Sequence, residues 1–268
     1  MARKEKRIKW LLFGAFSGLI GIQPLAYAHN DAGNQDGKSQ DYPKYQWRFS
    51  GPFGTYDLAS VQRGYAVYRQ VCSSCHTIQQ MTYGDLMGMG LNAEQVQDIA
   101  EQDQVPDGQD AQGKTIYRKA RLSDHFPAPY MNDAAAKAAN MGHVPLDFSR
   151  LTLTVPGGAD YIMAILLGYR EKPAGFHFDH MNHYYNLYAK DKQIGMKPPL
   201  QANQVRYMDG TKATIEQEAR DVTTFLSWTA QPHLIERHRI GVRILFYSLF
   251  MVILVYLVKR KVWFNVRK

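Results

Sequence analysis

The 268-residue chain has two cysteines, and both stand beside a histidine in Cys72-Ser73-Ser74-Cys75-His76. In a helical segment, positions i, i+3 and i+4 share one face, so two thiols and an imidazole can meet one porphyrin edge. Each thiol can add across a vinyl group to leave a thioether, while the imidazole turns beneath the iron. C-x-x-C-H is accordingly the attachment signature of a c-type haem. Paired cysteines serve two other chemistries. A zinc site needs two further Cys or His ligands at compact spacing, and a redox dithiol is expected near a βαβ pattern. Neither context is evident here.

Other residues invite a chemical reading. Phe176–Tyr188 carries His177, His180 and His183. Their H-x-x-H-x-x-H spacing drifts around a helix, and no acidic or sulfur-bearing cluster joins them, so they do not read as a metal site. Gln193–Leu200 places Met196 just ahead of Pro198-Pro199. Prolines fix the backbone and keep the preceding residue extended, which would hold a thioether rigidly. Asn92–Gly113 contains Glu94, Asp98, Glu101, Asp103, Asp107 and Asp110 with no Lys or Arg. Such a run is either a solvated face or a docking surface for a basic partner.

The elements that must position these groups read as helices. Leu58–Val71 has Val61, Tyr65, Tyr68 and Val71 on one face and leads directly into the cysteines. Gly64 inside it costs about 1 kcal/mol relative to Ala and reads as the site of a close helix crossing. Thr214–Ala230 is amphipathic through Ile215, Val222, Phe225, Leu226 and Trp228, and is expected to pack on that first helix. Ala134–Met141 is a short Ala-rich helix candidate, and Ala159–Tyr169 an apolar one that follows the break at Pro156-Gly157-Gly158. The polar stretch His29–Lys44 reads as a linker.

Net charge is +8, of which residues 1–28 carry +4 and His233 onward +7, leaving −3 for residues 29–232. Basic charge confined to two ends argues against nucleic-acid binding. At the first end, a basic segment precedes the apolar run Trp10–Ile22 and the small residues of Ala26-Tyr27-Ala28. This is the pattern of a secretory leader cleaved after Ala28. It is not the long Arg- and Ser-rich amphipathic segment of an organelle transit peptide, so the source reads as bacterial. At the other end, Ile240–Val258 offers 19 residues with one charge, Arg243, near its start. About 20 apolar residues span a hydrocarbon core. Lys259, Arg260, Lys261, Arg267 and Lys268 follow, which puts this tail in the cytoplasm and the body of the chain outside it. The expected organisation is a cleaved leader at 1–28, a periplasmic haem domain at 29–232, and an anchor with a basic tail at 233–268.

Several longer stretches carry a family likeness: RGYAVYRQVCSSCH at 63–76, HFPAPYMNDAAAKAANMG at 125–142, GGADYIMAILLGY at 157–169, MKPPL at 196–200 and DVTTFLSWTAQP at 221–232. With the C-terminal span, they make the chain resemble the cytochrome c1 family, the membrane-anchored haem subunits of the cytochrome bc1 complex (ubiquinol–cytochrome c oxidoreductase). The resemblance runs from about Tyr42 to the C-terminus. It implies a mainly α, class I cytochrome c-like haem domain with long insertions and one C-terminal transmembrane helix. It further implies one covalent haem c on Cys72 and Cys75, axial ligands His76 and Met196, and Asn140, Pro145 and Tyr161 in the haem pocket. The implied partners are cytochrome b, a Rieske iron–sulfur protein, a soluble cytochrome c acceptor and membrane lipid, at the bacterial inner membrane. The implied work is one-electron transfer, with no turnover from this chain alone. Two features depart from the family pattern. Val155-Pro156 stands where an arginine near a haem propionate is expected, leaving Arg150 as the nearest substitute, and PLDFS at 145–149 replaces a double proline. Two rivals are a membrane-tethered cytochrome that feeds an oxidase directly and an exported thiol–disulfide oxidoreductase.

Overall fold

A computed structural model describes residues 41–264 except His180, together with Val266. The expected leader and its cleavage point, most of the polar stretch up to Lys44, His180, Arg267 and Lys268 lie outside the described residues. The described chain is mainly helical. In order, it forms α1 (Leu58–Gln70), α2 (Ala93–Ala100), β1 (Gln104–Gln109), β2 (Thr115–Lys119), α3 (Asp133–Ala139), α4 (Leu151–Thr154) and α5 (Gly158–Leu167). Then come β3 (Tyr184–Tyr185), β4 (Gln193–Ile194), α6 (Ile215–Ala230) and α7 (Leu234–Phe264).

The core is the crossing of α1 and α6. Asp57 caps α1 by accepting from the Ala59 amide, and Thr214 caps α6 by accepting from the Gln217 amide. Val61, Tyr65 and Tyr68 of α1 are buried with Val222, Phe225, Leu226 and Trp228 of α6. Each large side chain fully buried this way contributes about 1.5–3 kcal/mol. Gly64 makes the close approach possible. A Cβ there would lie 2.0 Å from the Asp221 carbonyl oxygen and 2.6 Å from the Phe225 Cβ. The contact is also clamped by polar groups, since buried Asp221 accepts from the Ser60 hydroxyl at 2.6 Å and from Arg63 Nε at 2.9 Å. The expected packing of these two helices is therefore what the fold is built on. One member departs: Ile215, at the first residue of α6, is 39% exposed.

Around this crossing, α5 packs on α6 and α4 on both, with Met163 of α5 fully buried. The acidic stretch folds as α2 plus the first strand of an antiparallel β1–β2 hairpin, with a bulge between Pro106 and Gln109. The stretch has no Lys or Arg of its own, but cations from elsewhere in the chain reach three of its six carboxylates. Lys119 meets Glu101 at 3.0 Å, Arg118 meets Asp107 at 3.1 Å, and Arg69 of α1 meets Asp103 at 2.6 Å. The compensating charges are distant in sequence but adjacent in space.

Helix α7 runs 31 residues, extending beyond the apolar run Ile240–Val258 at both ends, and is long and apolar enough to cross a membrane. Its base is fastened to the rest of the domain. Leu234 is buried in the core cluster, and His238 Nδ1 lies 3.1 Å from the Gly54 carbonyl oxygen.

Candidate haem-attachment site

Helix α1 delivers the cysteine motif. Its last turn passes into a 3₁₀ turn at Cys72–Ser74, in which the Cys75 and His76 amides both donate to the Cys72 carbonyl, at 3.1 and 2.9 Å. Ser73 and Ser74 turn their hydroxyls back to the Arg69 and Val71 carbonyls. The two serines thereby satisfy the end of the helix and tighten the turn. Both cysteines are free thiols. Burial, with Cys75 as a second contribution, pushes the Cys72 thiol up to about 12, so it stays protonated near neutrality.

His76 is held from three directions. Its Nδ1 lies 2.8 Å from the Leu146 carbonyl, its ring stacks on Phe148 with centroids 4.0 Å apart, and its own carbonyl accepts from the Tyr68 hydroxyl at 3.1 Å. With Nδ1–H donating to a carbonyl, Nε2 keeps its lone pair, the tautomer a metal ligand requires. Burial lowers the basicity of His76, and the Leu146 carbonyl partly opposes this. The segment that grips it is PLDFS, the stretch that departs from a double proline. Asp147 accepts from the Thr77 hydroxyl at 2.6 Å and the Gln79 amide at 2.9 Å, and the Phe148 amide donates to the Thr77 carbonyl at 2.7 Å. Burial works against the Asp147 carboxylate, yet these hydrogen bonds outweigh it and hold its pKa below the usual range.

Met196 is half-buried directly after β4, and its carbonyl accepts from the Tyr169 hydroxyl at 3.0 Å. Beside it, a Cβ on Gly195 would sit 3.3 Å from His143 Cδ2, and the His143 ring meets His183 edge-on at 5.8 Å. One connecting loop therefore touches both halves: its His143 end abuts the methionine segment, and Leu146 to Phe148 hold His76. Pro145, between them, is half-buried. Asn140 ends α3, with its side chain donating back to the Ala136 carbonyl at 2.7 Å. Tyr161 of α5 packs edge-on against Tyr42 at 5.7 Å. Arg150 is exposed and precedes α4, its carbonyl accepting from the Leu153 amide. Among the described residues, no group of three or more His, Cys, Asp or Glu side chains could hold a metal ion.

The donor set suits a covalent haem: adjacent free thiols, an imidazole with its outer nitrogen engaged, and a thioether on a segment fixed through its carbonyl. Leu146, Phe148 and Tyr169 were not legible as site residues. They act through a backbone carbonyl, a ring face and a hydroxyl far away along the chain.

Comparison with known proteins bears on this site. Residues 47–266 match the family described as "Cytochrome C1 family". A Saccharomyces cerevisiae protein named "Cytochrome c1, heme protein, mitochondrial" is 40% identical over 226 residues, covering 84% of this chain and 73% of its own length. A Solanum tuberosum protein named "Cytochrome c1-2, heme protein, mitochondrial" is 38% identical over 230 residues, 86% of each chain. A Rhodospirillum rubrum protein named "Cytochrome c1" is 34% identical over 240 residues, covering 84% of this chain and 88% of its own length.

Proposed function

Because the chain belongs to the cytochrome c1 family, the haem subunits of the bc1 complex, we propose that it relays single electrons from a Rieske iron–sulfur protein to a soluble cytochrome c. Its cofactor is haem c, which supplies reversible one-electron chemistry. Cys72 and Cys75 would hold the group covalently, and His76 through Nε2 and Met196 through its thioether would be the ligands to its iron. A neutral thioether paired with a histidine would favour the ferrous state and raise the potential. What the protein contributes is orientation and a fixed tautomer. Leu146 and Phe148 keep the imidazole from rotating, and Tyr169 holds the backbone of the methionine segment. Asn140, Pro145 and Tyr161 complete the proposed pocket, and no acid–base or nucleophilic group is required.

The proposed organisation is a leader removed after Ala28, a haem domain in the periplasm of a bacterium, and α7 crossing the inner membrane beside cytochrome b. The single observation that carries the reading is the hydrogen bond from His76 Nδ1 to the Leu146 carbonyl, at the end of a helix that presents both thiols. A redox dithiol has no use for a histidine so fixed. The test is a pyridine haemochrome spectrum on the membrane-extracted protein, together with identification of its copurifying subunits. A c-type spectrum with cytochrome b and a Rieske protein is expected. Absence of haem after denaturation would return the cysteines to thiol–disulfide exchange, and haem without those subunits would indicate a free-standing carrier.

A further inference from the structure

A cavity of about 450 Å³ opens between the turn at Phe53–Thr55 and the base of α7, where Phe53, Ile235, His238, Arg239, Val242 and Arg243 line it. That volume lies within the range of small-ligand sites. One wall is rigid. Gly54 lets the turn fold onto itself, since a Cβ there would lie 2.3 Å from the Phe49 carbonyl group, and the Thr55 amide donates to the Arg48 carbonyl at 2.9 Å. His238 fastens the facing helix to the Gly54 carbonyl. The feature is an open groove with a fixed turn on one side and a tethered helix on the other.

Its depth and charge identify an occupant. At about 1.5 Å per residue, α7 exceeds a hydrocarbon core of about 30 Å by several turns. With the apolar run that follows Arg243 in the core, the groove lies at the level of the lipid headgroups. Arg239 and Arg243 stand at i and i+4, so they flank one point on the helix surface. Among the described residues, neither is in an ion pair, whereas Arg237 is turned to the Gln231 side chain and Glu236 to His233. A neighbouring protein helix would have to bring carboxylates into a lipid-facing position to match two arginines. An anionic phospholipid carries its phosphate at this depth already.

We propose that this cavity is a binding site for an anionic phospholipid, with Arg239 and Arg243 around the phosphate and Ile235, Val242 and Phe53 against the glycerol and first methylenes. The proposal rests on α7 spanning the membrane, and that premise is checked separately by whether the full chain needs detergent to leave the membrane fraction. The full chain is delipidated in detergent and titrated with phosphatidylglycerol or phosphatidylcholine, and bound lipid is counted by native mass spectrometry. Phosphatidylglycerol is retained in preference, and R239Q/R243Q loses that preference by about tenfold or more, each cation near the surface being worth about fivefold. K114Q, in the turn between β1 and β2, leaves it unchanged. V242W fills the cavity and abolishes retention of both lipids while the circular dichroism stays that of the parent. Unchanged retention in R239Q/R243Q or in V242W overturns the site. Displacement of the lipid by equimolar inorganic phosphate makes it a free-anion site instead. A photocrosslinker at position 242 that captures another subunit's peptide in the intact complex assigns the groove to protein.

Discussion

Exchanging Met196 for Leu keeps the bulk of the side chain and removes its sulfur. On the proposed ligation, Met196→Leu retains covalent haem but has a lower potential and binds carbon monoxide, read by redox titration and by the reduced-minus-CO difference spectrum. A variant with the parent's potential that excludes carbon monoxide would move the second ligand elsewhere, His143 being the imidazole beside this segment. Residue types told much at this scale, because thiols and an imidazole at fixed spacing are a local signal. Met196 was singled out through its prolines and its likeness to the family, and its ligation is what the variant tests. What holds those groups was not legible. The Leu146 carbonyl has no side-chain signature, and it meets His76 from 70 residues away.

At the scale of elements, the α1–α6 crossing concentrates the stability that keeps the cysteine motif in place. Gly64→Ala puts a methyl group where the Asp221 carbonyl already is, so the helices must separate. The expected cost is about 3 kcal/mol, at the upper end for overpacking. For a domain of this size, that lowers Tm by about 6–12 °C, measurable by thermal melting of the purified protein. A second consequence concerns Glu218 of α6. It is fully buried, its one hydrogen bond is a long one from the Val205 amide at 3.4 Å, and burial raises its pKa against that bond's opposing effect. A raised carboxyl binds its proton more tightly folded than unfolded. Stability therefore falls as pH rises from the ordinary glutamate value of 4.5 through the folded value. Glu218→Gln flattens that slope and leaves the protein at least as stable as the parent at pH above the window, as urea titrations across pH would record. Both helices were visible as periodic apolar faces, and Gly64 as a crossing point. The β1–β2 hairpin was not: Pro106 and Gly108 disguise the strand, and its pairing is set by contacts across the turn. Its cations come from β2 and α1, so a sequence window over the acidic residues could not contain them.

For the molecule as a whole, charge and hydropathy change sharply near His233, and the long helix α7 begins at Leu234. Ending the chain at Pro232 removes α7 while sacrificing one buried side chain, Leu234. The shortened protein is expected in the detergent-free soluble fraction after export, with haem attached and a Tm within about 8 °C of the full chain, the loss of one leucine from the core edge being worth about 1–2 kcal/mol. Failure to fold would mean that α7 is part of the core and not an appendage.

The base of α7 has a mechanical consequence. Between Ala230, where α6 ends, and Leu234, where α7 begins, the chain has room for only Gln231, Pro232 and His233. The Leu234 amide donates to the Gln231 carbonyl, Arg237 grips the Gln231 side chain, and His238 is tied to a turn whose neighbour Tyr56 bonds to the Ser227 carbonyl of α6. A mounting of this kind has no swivel. On the function proposed above, with α7 across the bilayer, the haem site is held at one height and bearing above it, like an instrument bolted to its stand. Whatever carries charge to it or from it must therefore do the travelling.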